Sequence, residues 1–124
     1  EIVIVTALLG LLAALGISRM NLYAPPPERT LQRCLLYAQG EARKSFSPYR
    51  IRTEEGKLFL ESRSGELWRE RRFPWDTESK WTLREEACYC YADGSVSPSL
   101  FSWGEEGARK NFFISVTGQV VPRE

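Results

Sequence analysis

Residues 2–17, IVIVTALLGLLAALGI, form an apolar run whose only polar side chain is the hydroxyl of Thr6, and a carboxylate, Glu1, stands directly ahead of it. Ile2, Val3, Ile4, Val5, Leu8, Leu9, Leu11, Leu12, Leu15 and Ile17 read together as a membrane anchor. As a helix the run would be about 24 Å long at a rise of roughly 1.5 Å per residue, short of the roughly 30 Å hydrocarbon core of a bilayer. A few residues ahead of Glu1 would close that gap, and because the sequence opens on Glu rather than Met they are expected. Arg19, just behind the run, could snorkel to the headgroups, and Tyr23 stands where an interfacial aromatic belongs. A cleavable signal peptide fits less well. It needs basic residues ahead and a small-x-small site behind, whereas here the leading charge is negative and Ser18-Arg19-Met20 follows. An ionised carboxylate beside hydrocarbon is costly, so Glu1 is expected to have a partner.

Behind the run about a hundred residues remain, a common size for a domain with one core. The 17 basic and 16 acidic side chains balance, so there is no global field for nucleic acid or an acidic membrane surface. The chain has no histidine, which removes the usual general base, the usual metal ligand and any Ser-His or Cys-His nucleophile pair. A catalytic role is not expected. The three cysteines, Cys34, Cys88 and Cys90, lack C-x-x-C spacing and a fourth ligand, so neither a metal nor a cofactor is expected.

The N-terminal residues carry a family resemblance. Glu1, then Ile-Val-Ile-Val, then Leu-Leu-Gly-Leu-Leu-Ala-Ala-Leu-Gly-Ile resembles the N-terminal segment of type IV pilins and type II secretion pseudopilins. In that family F-T-L-x-E precedes an aliphatic run with a G-[IL]-[LI]-A-A core. The resemblance implies removal of a short basic leader, methylation of the new N-terminus, and a filament-assembly role for Glu1. There Glu1 would meet the N-terminal amine of a neighbouring subunit in a low-dielectric setting.

Pro25-Pro26-Pro27 cannot continue a helix, since proline lacks an N–H and disfavours helical geometry in the residue before it. The first helix should therefore stop near Leu22, and Pro27 or Glu28 should start a second. Most pilins run one long helix into the head, so the prolines depart from the family pattern. Leu31, Cys34, Leu35, Ala38 and Ala42 then make one apolar stripe suited to packing on a sheet. From Pro48 onward the period changes to two, with strands expected at 49–52, 57–60, 66–69, 80–84 and 111–116. Turn signals stand at Glu55-Gly56, Ser64-Gly65, Asp93-Gly94 and Thr117-Gly118. The expectation is an α+β chain: a transmembrane helix at 1–22, a proline-rich break at 23–30, and a pilin-like head at 31–124. The head would hold a second short helix and an antiparallel β-sheet or small β-sandwich.

Two later stretches resemble the GspH/FimT-like branch of the family. LLYAQGEARKSFSPYRI is similar to its helix-to-first-strand passage, and CYCYADGSVSPSLFSWGEEGARKNFFISVTGQVVPRE to its C-terminal half. Some FimT-like members are DNA receptors with a basic Gly-Arg motif near the C-terminus. Gly118-Gln119-Val120-Val121 lacks that arginine.

Several side chains are candidates for contact. Cys88 and Cys90 sit two apart and share one face of a strand, so a disulfide from Cys34 to one of them and buried free thiols both remain open. Arg69, Arg71 and Arg72 alternate with Phe73, Trp75 and Trp81, a mixture used on single-stranded nucleic acid. Glu70, Asp76 and Glu78 dilute that field, so nucleic acid is a disfavoured partner. Phe101 and Trp103, in a Gly-rich acidic loop, are candidate anchors for another subunit or a secreted cargo; packing of both rings over the sheet is the equal alternative. Glu85-Glu86 and Glu105-Glu106 are adjacent pairs that a strand would split between two faces.

The resemblance implies a minor pseudopilin or minor pilin. Such a subunit is anchored by a single pass in the bacterial inner membrane with its head in the periplasm, and is assembled with other pilin or pseudopilin subunits, at or near a filament tip. A DNA-binding minor pilin or a periplasmic binding module is the alternative.

Overall fold

In the computed structural model the described residues are 2–22, 25–77 and 80–123, with the side chains of the first helix described as far as Leu12. Two helices, α1 (Ile2–Leu22) and α2 (Pro27–Ser45), precede eight strands. The boundary between the helices falls where the prolines put it. Pro26 is extended, and its carbonyl accepts from the N–H groups of Arg29 and Thr30, so the first turn of α2 is closed by backbone alone. Glu28 lies in that first turn and Arg43 and Lys44 in the last, each complementing the helix dipole.

The strands are β1 (Tyr49–Glu54), β2 (Lys57–Ser64), β3 (Leu67–Arg71), β4 (Trp81–Leu83), β5 (Cys88–Cys90), β6 (Ser99–Trp103), β7 (Lys110–Ile114) and β8 (Val120–Arg123). They form two antiparallel sheets, ordered β3-β2-β1-β5 and β4-β6-β7-β8. The β1–β2 hairpin turns on Glu55 and Gly56, both with positive φ (53° and 81°), the geometry whose twist suits a two-residue hairpin. The sheets adjoin where Leu83 N–H donates to Thr53 Oγ1 (3.2 Å) and Trp81 N–H to Gly56 O (2.8 Å).

Helix α2 lies across β1 and β5 of the first sheet and β8 of the second. Its stripe of Leu31, Cys34, Leu35, Ala38 and Ala42 is fully buried, as the helical spacing predicts. Ile51, Leu58 and Leu60 rise from the first sheet into the same core, and Trp81, Phe101, Phe112 and Ile114 from the second. Strands β1 and β2 continue beyond their expected ends. Strand β6 was not expected: residues 99–103 read as loop because Ser99 and Ser102 flank a Gly-rich acidic tract, but Ser99 and Phe101 both face the core.

Candidate functional site

Glu1 and Tyr23 lie outside the described residues. Ile2, Val3, Ile4, Val5, Leu8, Leu9, Leu11 and Leu12 are all on α1 and all exposed, between 54 % and 84 %. Leu15 and Ile17 continue the helix, with side chains outside the described set. Among the described residues no helix is long and apolar enough to cross a membrane. What α1 presents is a contiguous aliphatic surface of a kind that marks an interaction site or a lipid-facing segment.

The arginine and aromatic stretch divides into two. Arg69 and Arg71 share one face of β3, and with Arg72 they are exposed. Arg71 Nε donates to Ser62 Oγ (3.0 Å), and a cavity of about 380 Å³ opens beside it between Arg71 and Arg72 on one wall and Tyr37 and Glu41 of α2 on the other. The rings pack on neighbouring elements. Trp75 meets Tyr37 edge-on at 5.4 Å and stacks on Phe73 at 5.7 Å, with the Arg33 guanidinium 4.0 Å from its ring centroid. Trp81 is 2 % exposed and packs on Phe101 and Phe112. A single-strand platform needs free rings beside the cations. Trp81 is lost to the second sheet, while Phe73 and Trp75, half-buried against α2, line a second cavity of about 380 Å³ together with Arg71 and Arg72.

Phe101 is likewise withdrawn from the surface. It is fully buried on β6, edge-on to Trp81, and cannot anchor an interface in this fold. Trp103 is half-buried against the same core. The acidic residues beyond it, Glu105 and Glu106, remain exposed, and Glu105 pairs with Lys80 at 3.6 Å.

Cys34, Cys88 and Cys90 converge in one core as free, fully buried thiols. Burial pushes the Cys34 thiol up to about 11, against weaker opposing effects of Trp75 and Arg33. The Trp75 indole N–H makes no hydrogen bond of normal geometry, so only a weak interaction with the Cys34 sulfur remains for it. Cys90 is pushed up first by its hydrogen bond to Cys88 and then by burial. Cys88 is pushed down, first by its hydrogen bond to Cys90 and against burial, but all three sulfurs are fully buried, out of a substrate's reach. Among the described residues no group of three or more His, Cys, Asp or Glu side chains could hold a metal.

The most constrained polar cluster was missed. On the face of the first sheet opposite α2, Arg50 Nε donates to Glu61 Oε1 at 2.8 Å, and Arg52 Nε donates to the same oxygen. Arg50 lies under the Trp68 ring, 4.3 Å from its centroid, and Trp68 packs on Tyr89. Burial opposes ionisation of Glu61, but the hydrogen bonds and charges of both arginines outweigh it and hold the carboxylate below its ordinary range. For Arg50, burial is outweighed in turn by Glu61 and Tyr89, which keep the guanidinium charged. The signal available in the sequence was Arg-Ile-Arg at strand spacing across a hairpin from Leu-Glu-Ser. The shared hydrogen bonds order this face of the sheet.

The sequence matches no family model and no curated protein. The fold has close counterparts. The minor pseudopilin EpsH from the type 2 secretion system of Vibrio cholerae superposes with a TM-score of 0.57 at 13 % identity, over 77 % of this chain and 92 % of that one. The type IV minor pilin FimU of Pseudomonas aeruginosa superposes with a TM-score of 0.54 at 19 % identity, over 79 % of this chain and 86 % of that one. The chain shares the fold of these two proteins.

Within this pilin-like fold, the exposed contact groups are distributed over several surfaces. Beyond α1, Leu36 (61 % exposed) and Phe46 (86 %) stand on the outer side and at the end of α2. Phe46 is the left-handed cap of that helix, with φ 53°, a conformation that turns the chain sharply into β1. Arg69, Arg71 and Arg72 flank the free edge of β3.

Proposed function

We propose that the chain is a minor pilin or minor pseudopilin, a structural subunit and not an enzyme. Residues 1–22 would anchor it in the inner membrane by a single pass, with residues 31–124 as a periplasmic head. On extraction, the apolar helices of several subunits would pack as the core of a filament, with this head at or near the tip. The observation that carries the reading is the pairing of a pilin-like fold with a helix whose described aliphatic side chains are all exposed. Such a helix is stable only in a bilayer or against other helices. Glu1 would be neutralised by the N-terminal amine of a neighbouring subunit, which sets register in a contact that repeats without closing.

The first test reads the mature N-terminus by mass spectrometry, from the membrane fraction of cells making the full-length precursor. A methylated residue a few positions ahead of Glu1, with the apolar run retained, is expected. Cleavage behind the run would replace this reading with a periplasmic binding module. Glu1→Ala should then leave membrane insertion intact and impair incorporation into filaments.

A further inference from the structure

We propose that the groove between the start of α2 and the β7–β8 edge binds the phosphate headgroups of acidic phospholipids and seats the head on the bilayer surface. The inference rests on the membrane reading of α1 given above.

The groove holds about 410 Å³. Its cationic lining is Arg109, Lys110 and Arg123, all exposed, and among the described residues none of the three is in an ion pair. The carboxylate among the lining residues is Glu28, which sits in the first turn of α2 where the helix dipole already favours it. Three cations against that carboxylate and Glu124, the residue next to Arg123, leave a local excess of one positive charge. The Arg123 guanidinium lies over the Phe113 ring, 4.7 Å from its centroid and on the face of β7 opposite Phe112, so it swings off that ring to meet an anion in the groove. Opposite it, Pro26 and Pro27 form a wall without N–H donors, so a phosphate would take its hydrogen bonds from the three cationic side chains.

Covalent reach fixes where this groove sits. Pro26 follows Leu22, the last residue of α1, by four residues, which span at most about 14 Å fully extended. Whichever way the head leans, the groove stays near the end of the apolar helix. With α1 in the hydrocarbon, that end lies at the headgroup layer, where each Lys or Arg close to an acidic surface strengthens attachment about fivefold. Lys44, in the last turn of α2, lies about 26 Å further along that helix from Pro27, roughly three screening lengths away. The two lysines therefore report on near and far ends of the same head.

The test places the full chain in vesicles of phosphatidylcholine alone, or of phosphatidylcholine with about one third phosphatidylglycerol, and measures acylation of each lysine by mass spectrometry. Lys110 should react several-fold more slowly in the phosphatidylglycerol vesicles, with Lys44 unchanged. Arg109→Gln combined with Arg123→Gln should restore Lys110 to its phosphatidylcholine rate; an unchanged far-ultraviolet circular dichroism spectrum and thermal midpoint would show that the variant is folded. Equal Lys110 rates in the two lipids, or protection that survives the double substitution, would overturn the site. Equal protection by millimolar glycerol phosphate over phosphatidylcholine vesicles would also overturn it, by making the ligand a free phosphate. Failure of the chain to enter either vesicle would instead overturn the membrane reading on which it rests.

Discussion

The side-chain amide of Gln39 donates to the backbone carbonyl of Gly94 at 2.9 Å, and the same nitrogen reaches the carbonyl of Thr117 at 3.3 Å. One side chain of α2, 9 % exposed, thus ties the helix to the Asp93-Gly94 turn and to the β7–β8 hairpin. Both loops belong to the C-terminal half, so this amide secures the packing of that half against the helix.

Gln39→Leu keeps most of the volume and leaves two carbonyls unpaired in a largely buried place. The expected loss is about 2 kcal/mol in urea unfolding, the cost of unsatisfied buried acceptors. Exchange of the amides of Ser95 and Gln119, in the two tethered loops, should quicken in the same variant. An unchanged urea midpoint would mean that these carbonyls are satisfied without Gln39.

Gly118 and Gly65 both have positive φ, at 87° and 65°, yet they should respond differently to alanine. A methyl at Gly65 meets open space, so Gly65→Ala should cost only the left-handed backbone penalty of about 1 kcal/mol. A methyl at Gly118 would come within 2.6 Å of Gln39 Nε2 and displace the amide from its two carbonyls. Gly118→Ala should therefore lower stability by roughly 2–3 kcal/mol. Equal thermal shifts for the two variants would sever the proposed link to Gln39.

Cys34, Cys88 and Cys90 are free and buried, so a thiol reagent should find almost none of them in the native protein and three per chain in denaturant without reductant. With Cys34 pushed up to about 11, its thiolate fraction at pH 8 is roughly one in a thousand before burial slows access further. Its raised value also sets a pH trend. The contribution to stability is complete below the unfolded thiol value of about 8.5 and declines as the pH rises toward 11, because the unfolded chain ionises first. One thiol per chain in denaturant would instead show the disulfide that the spacing also allows.

The helices were legible because their signals are local. Three consecutive prolines divide α1 from α2, and the spacing of Leu31, Cys34, Leu35, Ala38 and Ala42 gives the buried face of α2. What escaped depends on pairing between strands. Phe101 reads as a loop aromatic until β6 pairs with β4 and β7, which turns its side chain into the core. Trp75 reads as a free ring beside Arg71 and Arg72 until the chain after β3 folds back and packs it on Tyr37. The Arg50–Glu61–Arg52 cluster was hidden for the same reason: register brings Arg50 opposite Glu61, and period-two alternation alone does not state register.

That cluster makes a pH prediction whose sign follows from Glu61. Its folded value lies below the ordinary one of about 4.3, so its contribution to stability is complete above that value and is lost as the pH falls through the lower, folded value. Unfolding free energy should decline through this acid window in the native chain. Glu61→Gln should be less stable at neutral pH by about 2–3 kcal/mol, less than the roughly 3–5 of a fully buried pair because the Arg52 side chain is 34 % exposed. The difference between the two proteins should then shrink as the pH drops below 4, where protonated Glu61 resembles the amide. Parallel urea titrations at pH 7 and near pH 3 would read both effects. A constant difference at the two pH values would mean that Glu61 stabilises the sheet by packing and not by charge.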